Sequence, residues 1–173
     1  FVPCDQYQAK AIVKAVADID GPCYVRLGRG AVEDVYDENY KFELAKGRVL
    51  KEGKKVALVA TGMMVQEALK AADILAKDDI SVTVVDMPCI KPIDEELIEK
   101  IAKSHEIIIT CEEHNVYGGL GSAVSEVTSK KSPVRMEMIG MQDTFGESGT
   151  PNELLAKYGL NADHIVEKVK ECL

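Results

Sequence analysis

Residues 110–126, "TCEEHNVYGGLGSAVSE", place two adjacent carboxylates, Glu112 and Glu113, and a histidine, His114, just before three glycines. A carboxylate beside an imidazole can move protons as a general acid–base pair. Gly118, Gly119 and Gly121 can open a helix whose free N–H groups receive an anion. The stretch lacks the third glycine of a dinucleotide fingerprint and the lysine of a phosphate-binding loop. Two readings therefore stand: chemistry over a bound phosphate, or a tight turn whose side chains bond to neighbouring backbone or to an adjoining domain.

A second constellation is "YVRLGRG", where Arg26 and Arg29 flank the end of an extended run and glycines leave Arg29 little cover. Guanidinium groups present a fixed fork of donors suited to phosphate. In a chain of net charge -8, two such residues together suggest an anionic substrate, with surface ion pairs as the alternative. Gly62 has no basic neighbour before Lys70 and reads as a structural turn. Lys91, held extended by Pro92, reads as a solvated loop lysine. "DTFGESG" (143–149) is a polar connection without metal-ligand spacing.

The elements that must position these residues follow from hydrophobic periodicity. Residues 6–19 space Ala9, Ile12, Val13 and Val16 along one helix face, with Asp5 as N-cap and Pro3 keeping the preceding chain extended. Residues 21–30 are expected to form a short strand ended by glycines. Residues 31–53 have weak periodicity and read as a linker with one short strand near 47–51. Beyond them, apolar strands at 54–61, 80–87, 106–113 and 134–141 alternate with helices. The first helix, from Gly62 through Leu75, carries a stripe of Val65, Ala68, Leu69, Ala72, Leu75 and Ala76. The second is capped by Asp94 and carries Leu97, Ile98, Ile101 and Ala102; the third carries Ala123, Val124 and Val127. Thr150-Pro151-Asn152-Glu153 is a capping box with proline at the first helical position. Gly159 ends that helix, and Asn161 caps a last one with Ile165, Val166 and Val169 inward.

Strand and helix alternating at this spacing mean parallel βαβ units, and nearly continuous apolar strands mean a sheet covered on both faces. The fold class is α/β: a three-layer α/β/α domain with a mainly parallel sheet over residues 51–173. Residues 1–30 would be the tail of a preceding α/β domain and 31–50 a linker. The opening Phe1-Val2-Pro3, without methionine, reads as the end of a strand in a chain cut from something longer.

The 173 residues suffice for one core without staples, and 46% apolar with 29% charged residues is a globular composition. Lysines scattered among carboxylates give no basic face for nucleic acid. No apolar run nears the roughly 20 residues of a membrane span, and no signal peptide opens the chain. Cys4, Cys23, Cys89, Cys111 and Cys172 are odd in number, widely spaced and without a C-x-x-C pair, which suits a reducing cytoplasm rather than disulfides or zinc. Cys89 and Cys111 read as small buried hydrophobes.

"GPCYVRLGRG", "VALVATGMMVQEAL", "VVDMPCIKPID", "ITCEEHNVYGGLGSAVSE" and "DTFGESGTPNELLAKYGL" follow one another in the order of the C-terminal part of transketolases. The same order occurs, with variations, in deoxyxylulose-phosphate synthase and in the beta subunits of 2-oxo-acid dehydrogenases. The chain most resembles transketolase, especially the split kind whose C-terminal half is a separate subunit, and the resemblance covers essentially its whole length. It implies a cytoplasmic enzyme of the pentose phosphate pathway that uses thiamine diphosphate with Mg²⁺ or Ca²⁺ to move a two-carbon ketol unit between phosphorylated sugars. The groups that activate the cofactor would lie before Phe1, so no catalytic residue, metal ligand or bound cofactor is expected in this chain, which alone would be inactive. Its expected partners are an N-terminal transketolase part or subunit and a second copy in a homodimer. Residues 1–30 would close a pyrimidine-binding domain, and 51–173 would be the transketolase C-terminal domain. The family's strand-terminal arginine, which contacts the sugar phosphate, corresponds to Arg29, with Arg26 second. Glu112, Glu113 and His114 would then shape a loop or face a neighbouring domain. The alternatives are a deoxyxylulose-phosphate synthase section and a non-catalytic interaction or regulatory module.

Overall fold

The computed structural model describes residues 1–173. A five-stranded sheet runs in the order β1 (Arg48–Lys51), β3 (Thr83–Asp86), β2 (Val56–Ala60), β4 (Ile107–Asn115), β5 (Arg135–Met141). Every pairing is parallel except β1 with β3, an antiparallel edge. Successive strand side chains point to opposite faces, and both faces here are covered. Val56, Leu58 and Ala60 of β2 and Ile107, Ile109 and Cys111 of β4 pack beneath α2 (Met64–Ala76) and α6 (Ala162–Cys172). Ala57, Val59 and Ile108 pack on the other side, with residues of α3 (Glu95–Ser104) and α4 (Leu120–Lys131). The result is the three-layer α/β/α arrangement expected from the alternating pattern.

Helix starts follow their caps. Asp5 Oδ1 accepts the Gln8 N–H at the start of α1 (Gln6–Val16), and Asp94 Oδ1 accepts that of Leu97 at α3. The Thr150/Glu153 box opens α5 (Pro151–Lys157), and Asn161 caps α6. Within α2, Val65, Ala68, Ala72 and Leu75 are buried as the stripe requires, but Ala71 takes the place of the exposed Ala76.

The N-terminal third departs from expectation. Residues 21–30 form no strand: their pairing is limited to Phe1, whose amino group donates to Tyr24 O and whose carbonyl accepts from Arg26 N. An extended run with one rung of partners cannot build a ladder. Helix α1 stops at Val16 rather than Ile19. Residues 1–5 lie across the carboxyl ends of the central strands, where Val2 N donates to Pro88 O and Gly62 N donates to Val2 O. Gly62 has φ +58, and a Cβ there would come within 2.8 Å of Val2 Cγ1, so this turn admits little but glycine.

Candidate functional site

The carboxyl ends of β2 and β4 carry the residues singled out by type and spacing, and alternation along β4 sends the two glutamates apart. Glu112, on the same face as Ile108, points under α4 and is 2% exposed. Its carboxylate accepts the Leu120 and Gly121 N–H groups, each at 2.8 Å. The helix N-terminus that could receive a phosphate is thus filled by the chain's own anion. Burial pushes the Glu112 carboxyl above its ordinary range, opposed by those two hydrogen bonds. A Cβ on Gly119 would overlap that carboxylate, and one on Gly121 would come within 2.7 Å of Met138 Sδ. The glycines are needed for close approach of helix to strand.

Glu113 faces the other way and pairs with Arg26, Oε2 to Nη1 at 3.1 Å, both side chains about one-third exposed. His114 is exposed, its Nδ1 3.0 Å from Asn115 O. Neither glutamate hydrogen-bonds the imidazole, so the structure does not assemble an acid–base pair there. Arg29 is exposed and pairs with no carboxylate. Lys91 is exposed as well, after which the Lys91–Pro92 bond is cis.

Three depressions meet at Glu113. One of about 360 Å³ lies between the start of α1 and residues 26–34, with Arg26 on its wall. The second, about 310 Å³, is walled by Arg26, Lys91, His114, Cys23 and Tyr24. The third, about 590 Å³, runs from Arg29 past Met63 and Met141 to Leu154 and Tyr158 on α5 and beyond it. Open ground with an unpaired guanidinium at its rim can bind and orient an anionic ligand. It holds no nucleophile–base pair.

A buried polar network beside these depressions was not legible in the sequence. Asp86, at the end of β3, is fully buried; its Oδ2 accepts from Tyr36 Oη and Gln8 Nε2, both at 2.6 Å, while Oδ1 has no partner. Asp5 Oδ2 accepts the Val35 and Tyr36 N–H groups, and Gln66 Nε2 donates to the Cys4 and Glu33 carbonyls. Arg48 stacks 4.4 Å from the Tyr40 ring centroid. Burial pushes the Asp86 carboxyl up to about 6, against the lowering effect of its two hydrogen bonds. The one available signal was a carboxylate ending an apolar strand, in "TVVD".

No three His, Cys, Asp or Glu side chains converge as a metal site needs. All five cysteines are free thiols, with Cys4, Cys89 and Cys111 buried. No helix is long and apolar enough to cross a membrane.

Comparison with known proteins places the chain. Residues 45–165 match the family model described as transketolase, C-terminal domain. The chain is 39% identical over 171 residues to a 6-deoxy-6-sulfo-D-fructose transketolase subunit of a Clostridium species, covering 99% of this chain and 53% of that protein. It is 34% identical over 174 residues to 1-deoxy-D-xylulose-5-phosphate synthase of Nitrosomonas europaea, covering 99% of this chain and 28% of that one. A solved structure titled "Split gene transketolase, inactive beta4 tetramer" superposes with a TM-score of 0.95 at 49% identity, over 99% of this chain and 56% of its own. The chain therefore spans about half the length of the transketolase relatives it matches.

Proposed function

This chain belongs to the transketolase C-terminal domain family, and from that premise we propose that it is the C-terminal section of a thiamine-diphosphate-dependent transketolase moving a two-carbon ketol unit between phosphorylated sugars. The observation that carries the reading is Arg29, an exposed guanidinium without a carboxylate partner beside a depression of about 590 Å³ in a chain of net charge -8. Its role is to hold the anionic end of the sugar and so fix the distance of the reacting carbons from the cofactor.

The residues of this chain do not by themselves fit that cofactor. No metal-ligand cluster is available to bridge a diphosphate, and Glu112 occupies the helix N-terminus that would cradle one. We assign the cofactor, its Mg²⁺ or Ca²⁺ and the catalytic groups to an N-terminal part or subunit, with a homodimer as the working assembly. The Clostridium relative, itself one subunit of a transketolase, supports that division. Residues 1–30 then complete the pyrimidine-binding domain, 31–50 link, and 51–173 form the C-terminal domain. In support, residues 1–47 contribute one helix and no strand. Free thiols throughout suit a cytoplasmic setting.

In enzyme reconstituted with its N-terminal part, Arg29→Ala should raise KM for phosphorylated sugars about ten- to a hundredfold, the range expected for losing a charge-assisted bond to phosphate. An unchanged KM would remove Arg29 from the site. The synthase relative supports a second reading, a deoxyxylulose-phosphate synthase section. Turnover of pyruvate with glyceraldehyde 3-phosphate, but not of xylulose 5-phosphate with ribose 5-phosphate, would install it.

A further inference from the structure

The two arginines of "RLGRG" are not equivalent in the folded chain. Arg26 is committed: its guanidinium meets Glu113 at 3.1 Å, and this pair is the sole side-chain polar tie of residues 24–32. A neutralised pair offers an approaching anion little attraction, whereas Arg29, three residues on, keeps its full charge. The backbone of the segment is secured only through Phe1, at Tyr24 and Arg26. What Arg26 grips is a strand end tied into the fold, where the neighbouring Glu112 accepts two α4 N–H groups and Thr61 N donates to Cys111 O. Glu113 also stands on the wall of all three depressions around residues 26–34, so its partner fixes where the segment crosses them.

Resting on the transketolase reading, we propose that Arg26 is not a substrate ligand but an anchor, and that Glu113 is the positioning residue that sets where Arg29 presents its charge to the sugar phosphate. In the sequence Arg26 stands second to Arg29 as a phosphate ligand; its pairing with Glu113 points to a different role.

The two accounts predict opposite signs for one substitution. Glu113→Gln keeps the shape and one acceptor oxygen but removes the charge that holds Arg26, loosening its grip. If Arg26 is an anchor, KM for ribose 5-phosphate relative to unphosphorylated ribose rises about fivefold to tenfold in the reconstituted enzyme, as expected for a misplaced binding group. Amide exchange of residues 24–32 accelerates in the same variant. If Arg26 is a ligand, its release strengthens phosphate binding and the ratio falls. The charge swap Arg26→Glu with Glu113→Arg restores the ion pair but leaves a carboxylate where a ligand would be. Recovery of the ratio and of slow exchange supports the anchor. A fall in the ratio with Glu113→Gln, no change in either readout, or no recovery in the swap overturns it. Arg29→Ala in the same assay separates this outcome from failure of the underlying reading: if KM ignores Arg29, the phosphate site itself is misassigned, whatever Glu113 does.

Discussion

At the scale of single residues, Asp86 makes the sharpest physical demand on this molecule. It is a buried carboxylate with one oxygen accepting two hydrogen bonds and the other accepting none. Leaving a buried acceptor unpaired is costly, and more so when it carries charge. The groups facing it are Asp5 and Gln8 from the start of α1, Cys4 before it, Tyr36 and Tyr40 from the following loop, and Arg48 from β1. Its folded pKa of about 6 stands above the ordinary 3.8, so between those values the folded chain retains a proton that the unfolded chain has released. The stability Asp86 contributes is therefore present at low pH and is lost as pH rises through about 6. Asp86→Asn keeps an oxygen for Tyr36 and Gln8, removes the charge, and should flatten this component of the pH dependence. It should also raise stability at pH 7 by on the order of 1–3 kcal/mol, the scale set by a shift of about two units. Urea denaturation at pH 4.5 and 7.5 decides: an unchanged difference between the two pH values would mean that Asp86 is already solvated or paired.

Among the elements, β4 and α4 form one unit through Glu112. Gly119→Ala would thrust a Cβ into the Glu112 carboxylate and to 2.8 Å from Asn115 O. We expect it to cost about 2–4 kcal/mol, the sum of overpacking and two orphaned N–H groups. Glu112→Gln should cost about 1–2 kcal/mol, since an amide has one acceptor oxygen to serve two donors. The double variant should fall well short of the sum, because both changes break the same bonds; additive losses in a thermal-melt cycle would argue that Gly119 matters for another reason. Most of this architecture was legible. β2, β3, β4 and β5 each begin or end within three residues of expectation, and Asp94, Thr150 and Asn161 cap as their types suggest. Local pattern fails where long-range polar ties decide. Cys23-Tyr24-Val25 is intrinsically extended, yet a strand needs a neighbour, and Phe1 offers a single rung. Residues 33–40 look like a featureless linker because their order comes from Asp5, Gln66 and Asp86, the last some fifty residues away. The pairing of Arg26 with Glu113 spans a separation of 87 residues, beyond any local motif.

For the whole molecule, both carboxylates at the carboxyl end of β4 are engaged within the chain, while the exposed histidine beside them pairs with neither. Glu112 caps a helix, Glu113 neutralises Arg26, and His114 stands in solvent apart from both. Meanwhile Tyr24, Leu27, Tyr117 and Phe145, in loops away from the core, are between 59% and 100% exposed. We propose above that the catalytic apparatus lies in an N-terminal part, and calorimetry tests that division. On the proposed division, thiamine diphosphate with Mg²⁺ titrated into the isolated chain at micromolar concentration should produce no binding heat, in keeping with the lack of any converging trio of His, Cys, Asp or Glu side chains. On the same proposal, adding the N-terminal part should make that titration exothermic. Saturable cofactor binding to the chain alone would overturn the proposed division and assign part of the cofactor site to this chain.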